Sequence, residues 1–413
     1  VRPAKVDISQ HLQIVDDVGQ GNASFQNILD RLHNDPIVED VSIPQWKAVI
    51  VKLETGVFHL AFSCSHGLAD GRSGQAFHAT FLETLQNLSS YEEEEEEGDI
   101  LDENLILLPT TKQWNPLPPM EKVGNLTISW KFLLGPLANE YFPKAVTRFL
   151  GLVEETVRDL WVGAKVKPAL PEEGELLATG VRVVSVPAEV LELVLARTRM
   201  HGAKLTGLVS FLVARALARS LQKRGQSYSS FLVALPIDMR RALGKGQGHI
   251  ANYVSNIMET VTIPSTRISD QDLSDVEWLQ VQNTTARLLA ASGTLADQPV
   301  GLLKYLMNFR EYMLKKAKAP ANESFAVSNA GVFDGIGSGD SNSSQWRVDQ
   351  MLFSQSANAS GPPLNFNLVS AKGGDLTITA TWWREVLGVR DEDAFVQEVC
   401  DALVADMIHL GSC

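Results

Sequence analysis

Residues 58–71 read FHLAFSCSHGLADG, and the order of residue types along this stretch decides how the rest of the chain is read. Phe58 to Cys64 is an apolar run of strand length, and Lys47 to Leu53 before it is rich in β-branched residues. Glu54-Thr55-Gly56 between them supplies a turn, so the two runs read as a hairpin that delivers His66 at its end. Gly67, Gly71 and Gly74 then permit sharp backbone turns. Ser73 is placed to cap a helix whose inward face carries Phe77, Phe81, Leu85 and Leu88. A strand, a glycine-rich turn and a helix in succession can hold an imidazole on a rigid edge, facing a cleft.

Outward from this unit the same alternation continues. Glu92 to Glu97 is an unbroken acidic run that repels itself and belongs in a solvated loop. Residues 166–178 turn polar, with Pro168 and Pro171, and form the candidate linker between an N-terminal unit, residues 1–165, and a C-terminal unit, residues 179–413. The second unit opens with a strand, Val181 to Val186. Pro187 starts a helix with Val190, Leu191, Val194, Leu195 and Thr198 on one face. A second amphipathic helix runs from Thr206 to Leu221, followed by strands at Phe231 to Ile237 and Tyr253 to Val261. Leu376, Ile378, Ala380 and Trp382 alternate as a half-buried strand, and Phe395, Val399, Leu403 and Met407 mark a last helix. Strands alternating with helices throughout make the fold class α/β.

Composition narrows the function. The 413 residues are 45% hydrophobic, enough for a sizeable core, and the formal net charge of -13 provides no overall positive field for nucleic acid or an anionic membrane. An anionic substrate must find a local basic pocket. Cys64, Cys400 and Cys413 are too few and scattered for a disulfide framework, and no CxxC, HExxH or Cys/His cluster points to a metal. No span approaches the roughly 18 apolar residues of a membrane crossing. The expectation is a cytoplasmic monomer with no nucleic-acid or membrane partner.

The chemistry lies in His66, Asp70 and Gly71. A histidine four residues before an aspartate is most often a surface pair or a satisfied core residue, and only its place at the end of an apolar strand raises it above that. With that context, the segment resembles the HxxxDG active-site motif of the chloramphenicol-acetyltransferase-like superfamily, and is most similar to fungal alcohol acetyltransferases and BAHD-like enzymes. Other segments agree in order. Ser42 to Val49 (SIPQWKAV) is similar to the strand before the motif, and Leu235 to Arg240 (LPIDMR) with Asn252-Tyr253 to the D-x-R and G-N-Y region. Phe325 to Gly331 (FAVSNAG) is similar to the Ser-Asn-x-Gly strand, and Phe353 to Trp382 to the C-terminal segment of the fungal enzymes.

The resemblance implies two subdomains, each a mixed β-sheet flanked by helices, with an active-site tunnel between them. It implies transfer of an acyl group, acetyl first among them, from acyl-CoA, bound only as a cosubstrate, to a hydroxyl of a small, specialised-metabolite acceptor, with transfer to an amine as an open alternative. His66 would be the general base, with no covalent acyl-enzyme. Asp70 would pair with Arg240 as a scaffold, Gly71 would allow close backbone approach, and Ser328 and Asn329 are candidate oxyanion donors and cofactor-binding residues. Ser65 stands where condensation domains carry a second histidine, and the DFGWG motif of plant BAHD enzymes is absent. Almost nothing precedes the segment at Val6 to Val15, so the first strand and helix of the N-terminal subdomain are expected to lie outside this sequence. Acyl transfer from a carrier-protein thioester, or a non-catalytic binding module of the same fold, are the competing expectations.

Overall fold

A computed structural model of the chain describes residues 5–16, 21–35, 37, 43–53, 57–91, 100–101, 106–108, 117–134, 160–172, 177–263, 272–335 and 346–412. The first strands are β1 (Val6–Asp7), β2 (Leu12–Asp16), β3 (Trp46–Lys52), β4 (Phe58–Cys64), β5 (Ile100–Leu101) and β6 (Ile106–Leu108), with helices α1 (Gly21–Asn34) and α2 (Gly71–Tyr91) among them. Further along come β7 (Thr179–Val186), α3 (Ala188–Met200), α4 (Leu205–Gln222), β8 (Ser230–Asp238), β9 (Val254–Thr262), α5 (Asp275–Ser292) and α6 (Phe309–Lys318). The chain closes with β10 (Phe325–Phe333), β11 (Leu364–Ala371), β12 (Leu376–Trp383) and α7 (Glu392–Ser412). The turn at 54–56, the acidic run at 92–97 and residues 173–176 of the candidate linker lie outside the described residues.

Two principal sheets result, and the α/β class holds. β2-β3-β4 joins β2 to β3 in parallel and β3 to β4 as the antiparallel hairpin, with Trp46 opposite Cys64. The larger sheet is ordered β7-β12-β11-β10-β8-β9, with β10 parallel to both β11 and β8 and the other pairings antiparallel. A small third sheet, β1-β6-β5, completes the described strands.

The main core lies against the larger sheet. α4 is apolar around nearly its whole circumference, and a helix of that kind is stable only when covered on all sides. Leu208, Phe211, Leu212, Val213 and Leu217 are accordingly all buried, and α4 packs against α5, α7 and the sheet. Its charges are answered from α7: Arg215 Nε and Arg219 Nη1 donate to the two oxygens of the buried Asp406, each at 3.0 Å.

β12 departs from the half-buried reading. All eight of its residues are buried, because it lies between β11 and β7 and both faces are covered. The threonine face is met by backbone: Thr379 Oγ1 donates to Phe353 O at 2.7 Å, and Thr377 Oγ1 to Val369 O at 3.0 Å and to Met351 O. Alternation in sequence distinguishes the two faces of a strand but does not say whether the polar one reaches water. Trp382 is core, wholly buried, with its indole Nε1 donating to Glu392 Oε2 at 3.1 Å.

α1 joins the early elements to the larger sheet. Asn34 Nδ2 donates to Thr179 O at 3.1 Å, and Thr179 N donates back to Asn34 Oδ1 at 2.9 Å. His33 Nε2 lies 2.7 Å from Ser354 Oγ.

Candidate active site

β4 ends at Cys64, and the chain turns at once. Ser65 N donates to Gln45 O at 3.1 Å, and Leu68 N and Ala69 N both return to Ser65 O, at 3.0 and 3.2 Å. The turn leaves the His66 ring exposed. Its Nδ1 lies 2.9 Å from Ala69 O. A carbonyl oxygen only accepts, so this contact selects the tautomer in which Nδ1 carries the proton and Nε2 the lone pair. Asn252 Nδ2 donates to the backbone oxygen of His66 at 2.7 Å, fastening this turn to the strand that becomes β9. Cys64, two residues before, is half-buried; burial, reinforced by Asp70, pushes its thiol up to about 11, which makes it unreactive.

Asp70 is turned inward. Its side chain and that of Arg240 are essentially without solvent contact. Arg240 Nη1 donates to Oδ2 at 2.8 Å and Nη2 to Oδ1 at 2.9 Å, a two-pronged pairing across 170 residues of chain. Ser73 N and Tyr253 N add donors at 3.0 Å each, to Oδ1 and Oδ2. Burial works to raise the carboxyl pKa, but the hydrogen bonds from Arg240 and Tyr253 and the charge of Arg240 outweigh it and hold the carboxyl below its ordinary value. Arg240 is satisfied further by Asp238 Oδ1 at 3.1 Å, His249 O at 3.1 Å and Ala251 O at 3.0 Å.

The helix after the motif begins two residues before Ser73, which corrects the expectation that Ser73 caps it. α2 starts at Gly71, and Asp70 is the residue whose side chain accepts from the third amide of the helix. Ser73 is buried instead and joins the two halves of the site. Its Oγ lies 2.9 Å from Asp70 Oδ1 and 2.9 Å from Ala251 O, and accepts from Ala251 N at 3.1 Å.

Gly71 serves close approach. A Cβ there would lie 2.7 Å from the Phe353 ring. On β10, Ser328 and Asn329 are partly buried, and Asn329 is engaged locally: its Oδ1 accepts from Gly331 N at 2.8 Å and its Nδ2 donates to Thr206 Oγ1 at 3.1 Å. This bond shapes the register shift in β10 between Asn329 and Gly331, where Gly331 takes φ +80°. A Cβ on Gly331 would sit 3.2 Å from the guanidinium of Arg72, which reaches back from α2 and donates to Gln75 Oε1 at 2.7 Å. The bridging role of Ser73, the Asn252 clasp on the histidine turn and the approach of Arg72 to β10 were not legible in advance. The one local signal was a serine three residues after an aspartate at a helix start.

The chain matches the family model described as alcohol acetyltransferase over residues 13–404. It is 22% identical over 385 residues to the "Probable alcohol acetyltransferase crmB" of Aspergillus fumigatus, covering 90% of this chain and 74% of that protein. Among solved structures it is similar to the TRI3 trichothecene 15-O-acetyltransferase of Fusarium sporotrichioides, with a TM-score of 0.60, 13% identity, and coverage of 96% of this chain and 76% of that one. It is also similar to the first condensation domain of the CDA synthetase, with a TM-score of 0.52, 15% identity, and coverage of 96% and 75%. At these identities the likeness to solved structures speaks for the fold: two chloramphenicol-acetyltransferase-like subdomains.

Proposed function

Because the chain belongs to the alcohol acetyltransferase family, we propose that it transfers an acetyl group from acetyl-CoA to the hydroxyl of a small acceptor, with His66 as general base. The observation that carries this reading is the state of the His66 ring: exposed, tethered through Nδ1 to Ala69 O, and with Nε2 left to accept a proton. In the proposed step Nε2 removes the acceptor O–H proton as the oxygen attacks the thioester carbonyl. Collapse of the tetrahedral intermediate breaks the C–S bond, and the imidazolium returns the proton to the CoA sulfur. The ring ends as it began, so no covalent acyl-enzyme is formed. The rigid tether supports this role, since a base held in one tautomer needs no reorganisation before each turnover.

Asp70 and Arg240 act as scaffold in this proposal. Their shared pair locks the start of α2 to the segment leading into β9, and the His66 turn is held between Ser65 and that lock. Gly71 permits the close packing of Phe353. Ser328 and Asn329 are proposed to border the acyl group, with Asn329 acting through the bulge it shapes.

The fold likeness to condensation domains favours one alternative, in which the acyl group arrives on a carrier-protein thioester. One assay separates the two. The protein is mixed with acetyl-CoA and a thiol reagent, with and without a panel of alcohols. Thiol release that needs an alcohol and disappears in His66→Ala supports the proposal. An unchanged rate in His66→Ala overturns the role of the base, and silence with free acetyl-CoA alongside turnover of a carrier-bound thioester overturns the choice of donor.

A further inference from the structure

The segment from Leu303 to Lys318 stands out from the rest of the surface. Leu303, Tyr305, Met307, Phe309, Tyr312 and Leu314 are all exposed, with Met307 at 104% and Phe309 at 53% of their reference areas. Over the same stretch lie five basic residues, Lys304, Arg310, Lys315, Lys316 and Lys318, against the single acid Glu311. In a chain of net charge -13, that is a local reversal of sign.

α6 buries one residue, Ala317, and rests on the body through a stripe completed by the half-buried Met313 and Lys316. Its remaining circumference faces outward. Glu311 is drawn toward the helix start, where its amide donates to Asn308 Oδ1 at 3.0 Å and its carboxylate accepts from Asn308 Nδ2 at 3.2 Å. Tyr305, Met307 and Phe309 lie at the start of the segment between Lys304 and Arg310, and Lys315, Lys316 and Lys318 lie in its last turns.

Lys304 Nζ donates to Leu126 O at 2.9 Å and the half-buried Lys316 lies 3.8 Å from Glu323, which leaves Arg310 and Lys318 as the cations directed to this face. We propose that this face docks on an anionic phospholipid surface, with Tyr305, Met307 and Phe309 entering the headgroup region and Arg310 and Lys318 meeting lipid phosphates. The adjacency of Arg310 to Phe309 and Tyr312, with Lys318 about two turns further along the same exposed helix, decides for lipid over a protein partner, because the core of a protein interface is depleted of charge while a headgroup layer accommodates cations beside aromatic rings. Leaving these apolar side chains in water costs free energy in proportion to their area, and a bilayer boundary recovers it without desolvating the cations. Among the described residues no helix is long and apolar enough to cross a membrane, so the contact would be peripheral. This goes beyond the catalytic proposal and departs from the expectation, drawn from net charge, of no membrane partner.

Co-sedimentation of the full chain with vesicles tests it. One set is phosphatidylcholine alone, and the other carries a third phosphatidylserine. The protein is expected to pellet with the serine-containing vesicles and to be released by high salt. Arg310→Glu with Lys318→Glu should weaken binding by at least about fivefold per cation removed. Tyr305→Ser with Met307→Ser and Phe309→Ser should abolish binding even at low salt, while thermal melts of both variants match the parent. The proposal is overturned if the parent stays in the supernatant with the anionic vesicles, or if either variant pellets as the parent does. It is also overturned if size-exclusion chromatography shows a dimer that the apolar variant converts to a monomer, since the face would then be a self-association surface.

Discussion

Replacing Asp70 by asparagine keeps the shape of the side chain and removes one negative charge from a site where both partners are out of water. The wild-type carboxylate accepts from Arg240 Nη1 and Nη2, Ser73 N and Tyr253 N. An asparagine offers one acceptor oxygen, and its amide group would point two hydrogens at donors already in place. Arg240 would remain buried and charged, with Asp238 Oδ1 at 3.1 Å as its remaining carboxylate contact. Breaking a buried pair from one side costs about 3 to 5 kcal/mol, and the surviving Asp238 contact places this case at the lower end. At about 2.1 cal/mol/K of unfolding entropy per residue, a chain of 413 residues answers this with a fall in melting temperature of roughly 3 to 4 °C. The assay is a thermal melt of Asp70→Asn beside His66→Ala, with acetyl transfer measured on both. His66→Ala should melt within about 1 °C of the parent, since His66 is exposed and, among the described residues, its ring bonds to Ala69 O. The two variants should therefore both lose activity and differ in stability. Because the folded-state pKa of Asp70 is depressed, its stabilisation is complete above the ordinary aspartate value of about 3.9 and is lost as pH falls through the folded value. The gap between parent and Asp70→Asn should close in strong acid. Equal melting temperatures for Asp70→Asn and the parent at neutral pH would refute the reasoning.

His66→Ala should lower kcat/KM by about 10²- to 10⁴-fold, the range of general-base catalysis, and added imidazole should recover part of the loss. Gly331→Ala should cost about 1–2 kcal/mol, from a positive φ that a side chain resists and a Cβ 3.2 Å from Arg72, read as a lower denaturation midpoint. Burial pushes the His33 imidazole down to about 4, so the folded protein keeps it neutral while the unfolded chain protonates near the ordinary 6.5. Stability from this group is complete above the unfolded value and falls as pH drops from 6.5 towards 4. His33→Gln should flatten the melting curve against pH in that window, and an unchanged slope would count against the burial of the ring.

Much of the fold was legible because hydrophobic periodicity is a local property. The hairpin ending at His66, the strand at 179–186 and the helices at 188–200, 205–222 and 392–412 each announce themselves within a dozen residues, and the alternation of types settles the α/β class. Burial on the second face of β12 was not legible, because what covers its threonines is a backbone segment around Met351 to Phe353 with no periodic signature of its own. At the site, the order of residues in FHLAFSCSHGLADG places a histidine at the end of a strand and an aspartate at the start of a helix. By its spacing alone it does not choose which side chain faces solvent and which turns inward, nor which of the 36 basic residues answers the aspartate; only the family resemblance points to Arg240. Those choices are made between segments some 170 residues apart, where Asp70, Ser73, Arg240 and Tyr253 exclude water together. A carboxylate buried at that meeting point must find its donors in space, and one-dimensional spacing carries no record of that.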